Sequence, residues 1–482
     1  MSNRDALEGR QQGAGGGTNS SREPERLLLA FYGDDFTGST DALEFLSRAG
    51  ARTVLFLEPP KAAKLQRYPD LDAIGIAGMT RAMTVEEMEE ALRPAFAMLA
   101  SLRVPHIHYK VCSTFDSSPR TGSIGRAIDI GAEVFHSRFV PVLGGAPALG
   151  RYCVFGNLYA RMGIGSGGNI YRLDRHPSMS KHPVTPADEA DLRVHLGRQT
   201  ARAIGLLDIL GLEQSLIERR AVLEASAVTL IDVLYTSQLA GIGELLAGYG
   251  SPEQPLFTVG SSAVEMALGD HWRGVGRLTP VEEWPEAGRA EPLLVASGSC
   301  SPVTAGQIIW ARENGFAEIA LDAAAMGEWG SPGVPGGGDR DDFRAIVQAG
   351  VSYLAEGRSV ILHTGHTLAG STPAALLGTG LGKLVKSIVA EARSADGTGP
   401  TTQPSGASRG LRRLVIAGGD TSSYAARALG IEAVEMICPL TPGAPLCRAH
   451  APGSSVDGLE INLKGGQVGA EDYFGKLVAG KK

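Results

Sequence analysis

The chain has 482 residues, a net charge of −7, 43% apolar residues and 20% charged residues. That length supports two or three domains with a sizeable core, and the charge balance leaves no basic footprint for nucleic acid. No apolar run approaches the roughly 18 residues needed to cross a bilayer. The five cysteines are scattered without C-x-x-C spacing, which suits reduced thiols in a cytoplasmic protein better than a disulfide framework.

Residues 1–25 contain a Gly/Ser/Thr/Asn run from Gly13 to Ser21 and lack both periodicity and a signal-peptide core, so they are expected to form a disordered tail. An apolar run, Leu27 to Phe31, then leads into Gly33-Asp34-Asp35-Phe36-Thr37-Gly38-Ser39. Ala42, Phe45, Leu46 and Ala49 follow at helical spacing until Gly50. The pattern predicts strand, tight acidic turn and helix, with Thr37 or Ser39 as the helix cap. Open α/β sheets place ligands at the C-terminal edge of their strands, so the paired carboxylates are candidates for chemistry. The plainer reading is that they only shape the turn.

Thr53–Leu57 and Ala73–Ala77 read as strands. Thr84-Val85-Glu86-Glu87 is a capping box opening a helix with Met88, Leu92 and Leu99 on one face, and Pro94 is expected to kink it. The strand beginning at His106 ends in Lys110-Val111-Cys112-Ser113-Thr114-Phe115-Asp116-Ser117. Lys110 supplies a cation, Ser113, Thr114 and Ser117 supply hydroxyls, and Asp116 a carboxylate. Gly122 and Gly125 would let backbone N–H groups approach an anion. The set suits a small, hydroxylated, anionic substrate. His106 and His108 alternate on this strand; with no third ligand nearby, packed histidines are expected rather than a metal site. Residues 161–187 read as a long polar loop whose Arg, Lys and His residues suit either anion binding or a solvated lid.

A break near 274–291 precedes a second α/β series, giving an α/β chain of two domains, each a mostly parallel sheet flanked by helices. Three small-residue turns follow strands there: Ser297–Ser301, Thr364–Thr367 and Gly418–Ser423. Glycines and hydroxyls between a strand and a helix suit phosphate, although such turns also serve merely as caps. No Walker A lysine is present. Residues 394–409 read as a mobile insertion.

Taken together these stretches resemble the four-carbon acid sugar kinase family. The resemblance rests on Gly33-Asp34-Asp35-Phe36-Thr37-Gly38, on Lys110 to Ser117 with Gly122-Ser123-Ile124-Gly125, and on His182-Pro183-Val184-Thr185-Pro186. It continues in Gly298-Ser299-Cys300-Ser301, Gly418-Gly419-Asp420-Thr421-Ser422 and Leu463-Lys464-Gly465-Gly466, in family order over roughly residues 27–475. Two departures stand out: Gly122-Ser123 replaces a frequent Gly-Asn, and Gly466-Gln467-Val468-Gly469 replaces Gly-Asn-Phe-Gly. The resemblance implies an acid-sugar-binding domain over 26–285 and a nucleotide-binding domain over 290–478. It also implies transfer of a phosphoryl group from ATP, with Mg²⁺, to the terminal hydroxyl of a four-carbon sugar acid. The Cys112-Ser113-Thr114-Phe115-Asp116-Ser117 form is similar to the branch acting on 3-oxo acids rather than on threonate.

On this reading Asp34, Asp35, Lys110, Ser113, Thr114, Asp116 and His182 bind the acid, Lys110 pairing with its carboxylate. One of Asp35, Asp34 or Asp116 takes the proton, with Asp35 favoured for its place nearest the helix. Ser299, Ser301, Gly418, Gly419, Asp420, Thr421 and Gly466 line ATP; Asp420 either holds Mg²⁺ through water or caps its helix. The partners expected are the sugar acid and ATP, with a homodimer as an open option and no nucleic acid or membrane. A dinucleotide dehydrogenase is disfavoured because no G-x-G-x-x-G follows the first strand, and a non-catalytic sensor because both key turns are intact.

Overall fold

The computed structural model describes residues 27–162, 168–182, 184–334, 340–365, 372–395 and 410–481. The tail, most of the 394–409 insertion and the His366-Thr367 pair lie outside the described residues.

The N-terminal half contributes β1 (Leu29–Gly33), β2 (Thr53–Phe56), β3 (Ala73–Ala77), β4 (His106–Lys110) and β5 (Val140–Leu143). A local meander follows: β6 (Arg151–Val154), β7 (Asn157–Arg161) and β8 (Ile170–Arg172). β9 (Ile204–Leu207), β10 (Val228–Ile231) and β11 (Leu256–Gly260) complete this half. The C-terminal half contributes β12 (Leu293–Ser297), β13 (Ala317–Ala320), β14 (Val360–His363) and β15 (Arg413–Ala417), then β16 (Ala433–Thr441), β17 (Ala444–His450) and β18 (Glu460–Lys464). Strands such as β1, β3, β4, β12 and β15 are buried along their whole length, as expected of parallel strands covered by helices on both faces.

Each half is a parallel sheet, and the two are continuous. Fifteen strands run in the order β13-β14-β12-β15-β18-β17-β16-β2-β3-β1-β4-β11-β5-β10-β9. The antiparallel hairpin β16–β17 makes the join: β17 pairs with β18 on one side, and β16 pairs with β2 on the other. Helix Gly419–Ala428 reinforces the seam. Its Arg427 donates to the carbonyls of Leu57 and Ala77, each at 2.7 Å, and pairs with Glu58.

Helix Val85–Ser101 opens with the expected capping box and runs through Pro94, burying Met88, Leu92 and Leu99. His108 hydrogen-bonds Glu265 at 2.6 Å inside the core, and His106 packs beside Trp272. Both therefore serve packing, and no cluster of metal-ligating side chains occurs among the described residues. The stretch expected to be loop over 161–187 carries β8 and two short 3-10 turns; with β6 and β7 it forms a separate antiparallel sheet. Its strands are short, and their polar and apolar residues do not match the alternation of burial, Arg151 being buried and Tyr152, Val154 and Tyr159 less so. No helix among the described residues is long and apolar enough to cross a membrane.

Candidate active site

The acidic turn sits where β1 meets helix Phe36–Ala49, with β3 and β4 on either side of β1. The backbone N–H of Asp34 donates to the Lys110 carbonyl, and that of Arg81 donates to the Asp34 carbonyl, so three segments fix the turn. The helix cap is Asp35, not Thr37 or Ser39. Its carboxylate accepts from the Gly38 N–H and the Thr37 hydroxyl, each at 2.8 Å, and Ser39 bonds the Asp35 carbonyl instead.

The pKa values of the two carboxylates are moved in opposite directions. Asp35 is paired with Arg81 at 2.8 Å. Burial works to raise its pKa, but the charges of Arg81 and Lys110 and the bonds from Thr37 and Gly38 outweigh burial and hold it low. Asp34 is pushed up to about 7, first by burial and then by the neighbouring Asp35 charge. Its Oδ2 has one long bond, from the Cys112 N–H at 3.4 Å, and its Oδ1 is buried without any partner. An unpartnered buried carboxylate oxygen is costly and rarely persists without a role.

Lys110 lies behind them, 2% exposed and 3.8 Å from Asp41. Burial would lower its pKa, but Asp41, Asp35 and Asp34 together raise it, so it stays charged. Asp41 accepts from Ser262 at 2.5 Å, and burial lifts its own pKa to about 6. Ser113 lines the same cavity as Lys110. Thr114 is buried with its hydroxyl on the Cys112 thiol at 3.0 Å. Asp116 is half-buried, and its charge reaches Arg81 and Cys112. Ser117 is engaged by His195 and Gln199.

Gly122 and Gly125 do not offer their N–H groups to an anion. They donate to the Met83 carbonyl and the Gln199 side chain. His182 accepts from Thr185 and lines neither of the two cavities at the acidic turn.

The C-terminal turns pack against one another; of the predicted residues there Gly419 lines a cavity at the acidic turn, and Ser299, Ser301, Gly418, Thr421 and Gly466 line neither. Ser301 caps helix Pro302–Glu313, and the Ser299 hydroxyl accepts from the Ser301 N–H at 3.2 Å. The Thr421 hydroxyl reaches the Gly298 carbonyl at 3.4 Å. Gly418 ends β15 at φ +133°, a conformation that side chains rarely adopt, and its N–H donates to the Lys464 carbonyl. Helix Gly419–Ala428 thus starts from a residue with no side chain to cap it. A Cβ on Gly466 would stand 2.8 Å from the Ser299 hydroxyl, which marks a backbone-lined cradle. The Asp420 side chain lies outside what the structure describes.

Two adjoining cavities share Asp35 and Arg81. One runs from Asp34 to Gly419, Ser423 and Tyr424; the other is lined by Lys110, Cys112, Ser113, Pro442, Gly443 and Gly465. Each is therefore walled by both halves of the chain. Arg81 lies at the crossing, its Nη2 3.9 Å from where a Gly419 Cβ would stand. Sequence reading missed Arg81 and Asp41 as site residues, and read Pro442-Gly443 only as a close-approach loop. Asp41 follows the acidic motif closely, but Arg81 belongs to a 3-10 turn, Thr80–Ala82, that carries no motif.

Residues 29–268 match the model of a sugar-binding N-terminal domain, and residues 294–474 that of a nucleotide-binding C-terminal domain. The chain belongs to the four-carbon acid sugar kinase family. A relative from Paraburkholderia graminis, named 3-oxo-isoapionate kinase, is 42% identical over 96% of this chain and 97% of its own. One from Pseudomonas savastanoi pv. phaseolicola, named 3-oxo-tetronate kinase, is 28% identical over 94% and 97%. Among solved structures, Haemophilus influenzae protein HI1011 superposes with a TM-score of 0.64 at 21% identity, covering 93% of this chain and 98% of that one. That likeness speaks to the fold alone.

Proposed function

We propose that this protein transfers the γ-phosphoryl group of ATP to the terminal hydroxyl of a 3-oxo sugar acid, a four-carbon tetronate or its branched isoapionate counterpart. One observation carries the reading. Asp34, which carries a buried unpartnered carboxylate oxygen, and Gly419, which follows a cap residue without a side chain, line one cavity together with Arg81. Phosphoryl transfer asks for an in-line arrangement of acceptor hydroxyl and phosphate, with charge neutralised around it, more than for covalent chemistry.

The parts divide the work. Asp34 is the general base: a carboxylate near pKa 7 can both accept the hydroxyl proton and hold it. Asp35 has a different task, because its lone pairs are taken by Arg81, Thr37 and Gly38. It anchors Arg81, which faces the incoming phosphoryl group. The N–H groups at the start of helix Gly419–Ala428, which Gly418 leaves without a side-chain cap, favour phosphate oxygens through their partial positive charge. The Ser299, Thr421 and Gly466 cradle suits the rest of the phosphate chain. ATP supplies the phosphoryl group, and Mg²⁺ would accompany its phosphates as a hard cation that prefers oxygen ligands.

The test is ADP release with Mg-ATP over 3-oxo-isoapionate, 3-oxo-tetronate, threonate and erythronate. Turnover with at least one of the 3-oxo acids, above that with threonate and erythronate, is expected. Binding of an acid without ADP release, or reduction of a nicotinamide cofactor, would overturn the reading.

A further inference from the structure

The small sheet β6-β7-β8 delivers one cation that the phosphoryl-transfer machinery does not use. Arg151 opens β6 and is 8% exposed. Its Nη1 donates to the carbonyls of Leu149, Gly150 and Arg161, at 3.0, 3.4 and 3.1 Å, which fixes the guanidinium plane. Its Nε is buried with no partner, and Nη2 takes part in none of these bonds. The Nε–Nη2 edge, which can grip a carboxylate with two parallel hydrogen bonds, therefore has no protein acceptor among the described residues.

Arg151 does not itself line the sugar-acid cavity but packs directly behind it. Leu149, whose carbonyl holds Nη1, lines this cavity together with Lys110, Cys112 and Ser113. Burial lowers the Arg151 pKa, while Cys112, Asp116 and Asp41 pull it back up, so Arg151 senses groups of that same site. The other two cations there are already paired: Arg81 with Asp35 at 2.8 Å, and Lys110 with Asp41 at 3.8 Å. Arg151 has no carboxylate at ion-pair distance among the described residues. A buried cation in that position is expensive unless a counter-ion arrives.

We propose that Arg151 binds the carboxylate of the sugar acid and sets the preference of the site for acids over neutral sugars of the same skeleton. The assignment, which rests on the sugar-acid reading above, moves this role from Lys110, whose charge the site's own aspartates neutralise. The meander would then be a specificity element: a rigid carbonyl clamp that aims one guanidinium edge at the ligand.

Two probes separate charge recognition from fit. 3-Oxo-tetronate and erythrulose share a skeleton, the ketose carrying CH₂OH where the acid carries its carboxylate. Dissociation constants for both are measured by calorimetry without ATP, on wild type, Arg151→Met and Arg151→Lys, with thermal melting to confirm folding. Wild type should prefer the acid. Arg151→Met should weaken acid binding roughly 10- to 100-fold, the range for a lost hydrogen bond to a charged group, and leave erythrulose within about threefold. Arg151→Lys keeps a charge without the fork and should retain part of the preference; it serves alone if the Met variant does not fold. An unchanged acid-to-ketose ratio in the folded variants, or a wild type with no preference for the acid, would overturn the assignment. Equal losses for both probes would also overturn it, since they would show a structural role. ADP release by wild type tests the kinase reading separately, because these binding ratios do not depend on turnover.

Discussion

The chain builds a strand–turn–helix device twice, with a different helix cap in each copy. In each half an apolar parallel strand runs into a glycine-bearing turn and a helix: β1 into Phe36–Ala49, and β15 into Gly419–Ala428. The first helix is capped by its own carboxylate, Asp35. The second begins from Gly418, which has no side chain to offer. A carboxylate cap takes one of the free donors and offsets the local positive charge, which disfavours an external anion; a glycine cap does neither. In the proposed reaction the Asp34-Asp35 pair equips one turn for a hydroxyl and its proton, and the side-chain-free cap at Gly418 equips the other for phosphate. The β16–β17 hairpin joins both turns into one sheet and brings them to a shared cavity.

The largest effect should come from separating the two aspartates. Asp34→Asn should fold normally and lose roughly two to four orders of magnitude in turnover, as expected for removal of a general base. Asp35→Asn keeps an oxygen for the Gly38 N–H but gives up the charge opposite Arg81. It should raise the Michaelis constants and lower the melting temperature, with a smaller loss of turnover. Steady-state kinetics with circular dichroism checks both. The opposite ranking would return the base to Asp35.

A smaller effect should appear on the other wall. Gly418→Ala forces a side chain into φ +133°, a strain of about 1–3 kcal/mol, and tilts the first N–H groups of the helix. ADP should bind roughly tenfold more weakly while acid binding stays unchanged, by calorimetry. Equal losses for both ligands would mean that the two turns are not separable in function.

Much of this division could be read from the sequence because it lies in local chemistry. Asp34-Asp35 follows a continuous apolar run, and Gly418-Gly419 follows another, so strand, turn and helix were legible from periodicity alone. The choice between the aspartates was not. Proximity to the helix pointed to Asp35, whereas the proposal gives the base to Asp34 because three contacts already occupy the Asp35 carboxylate, and one of them, Arg81, comes from a 3-10 turn with no sequence signature. The fusion of the two sheets was equally invisible, since it depends on Val434 meeting Leu55 across the whole length of the chain. The meander that holds Arg151 escaped notice because hydropathy does not follow the alternating burial of its strands: Arg151 lies on the buried side of β6, while Tyr152 and Val154 lie on the more open side.

The most direct measurement is the pH dependence of kcat/KM for wild type beside Asp34→Asn. In the folded protein Asp34 keeps its proton up to about pH 7, whereas in the unfolded chain it gives it up near 4. Its contribution to stability is therefore fully present below the unfolded value and is lost as pH rises through about 7. Catalysis has the opposite sign, because a base must be deprotonated to act. Wild-type kcat/KM should climb through about pH 7 to a plateau while the melting temperature falls over the same interval, and Asp34→Asn should show neither change there. A wild-type profile already flat from pH 5.5 upwards, or a rise through pH 7 that survives in Asp34→Asn, would contradict Asp34 as the base.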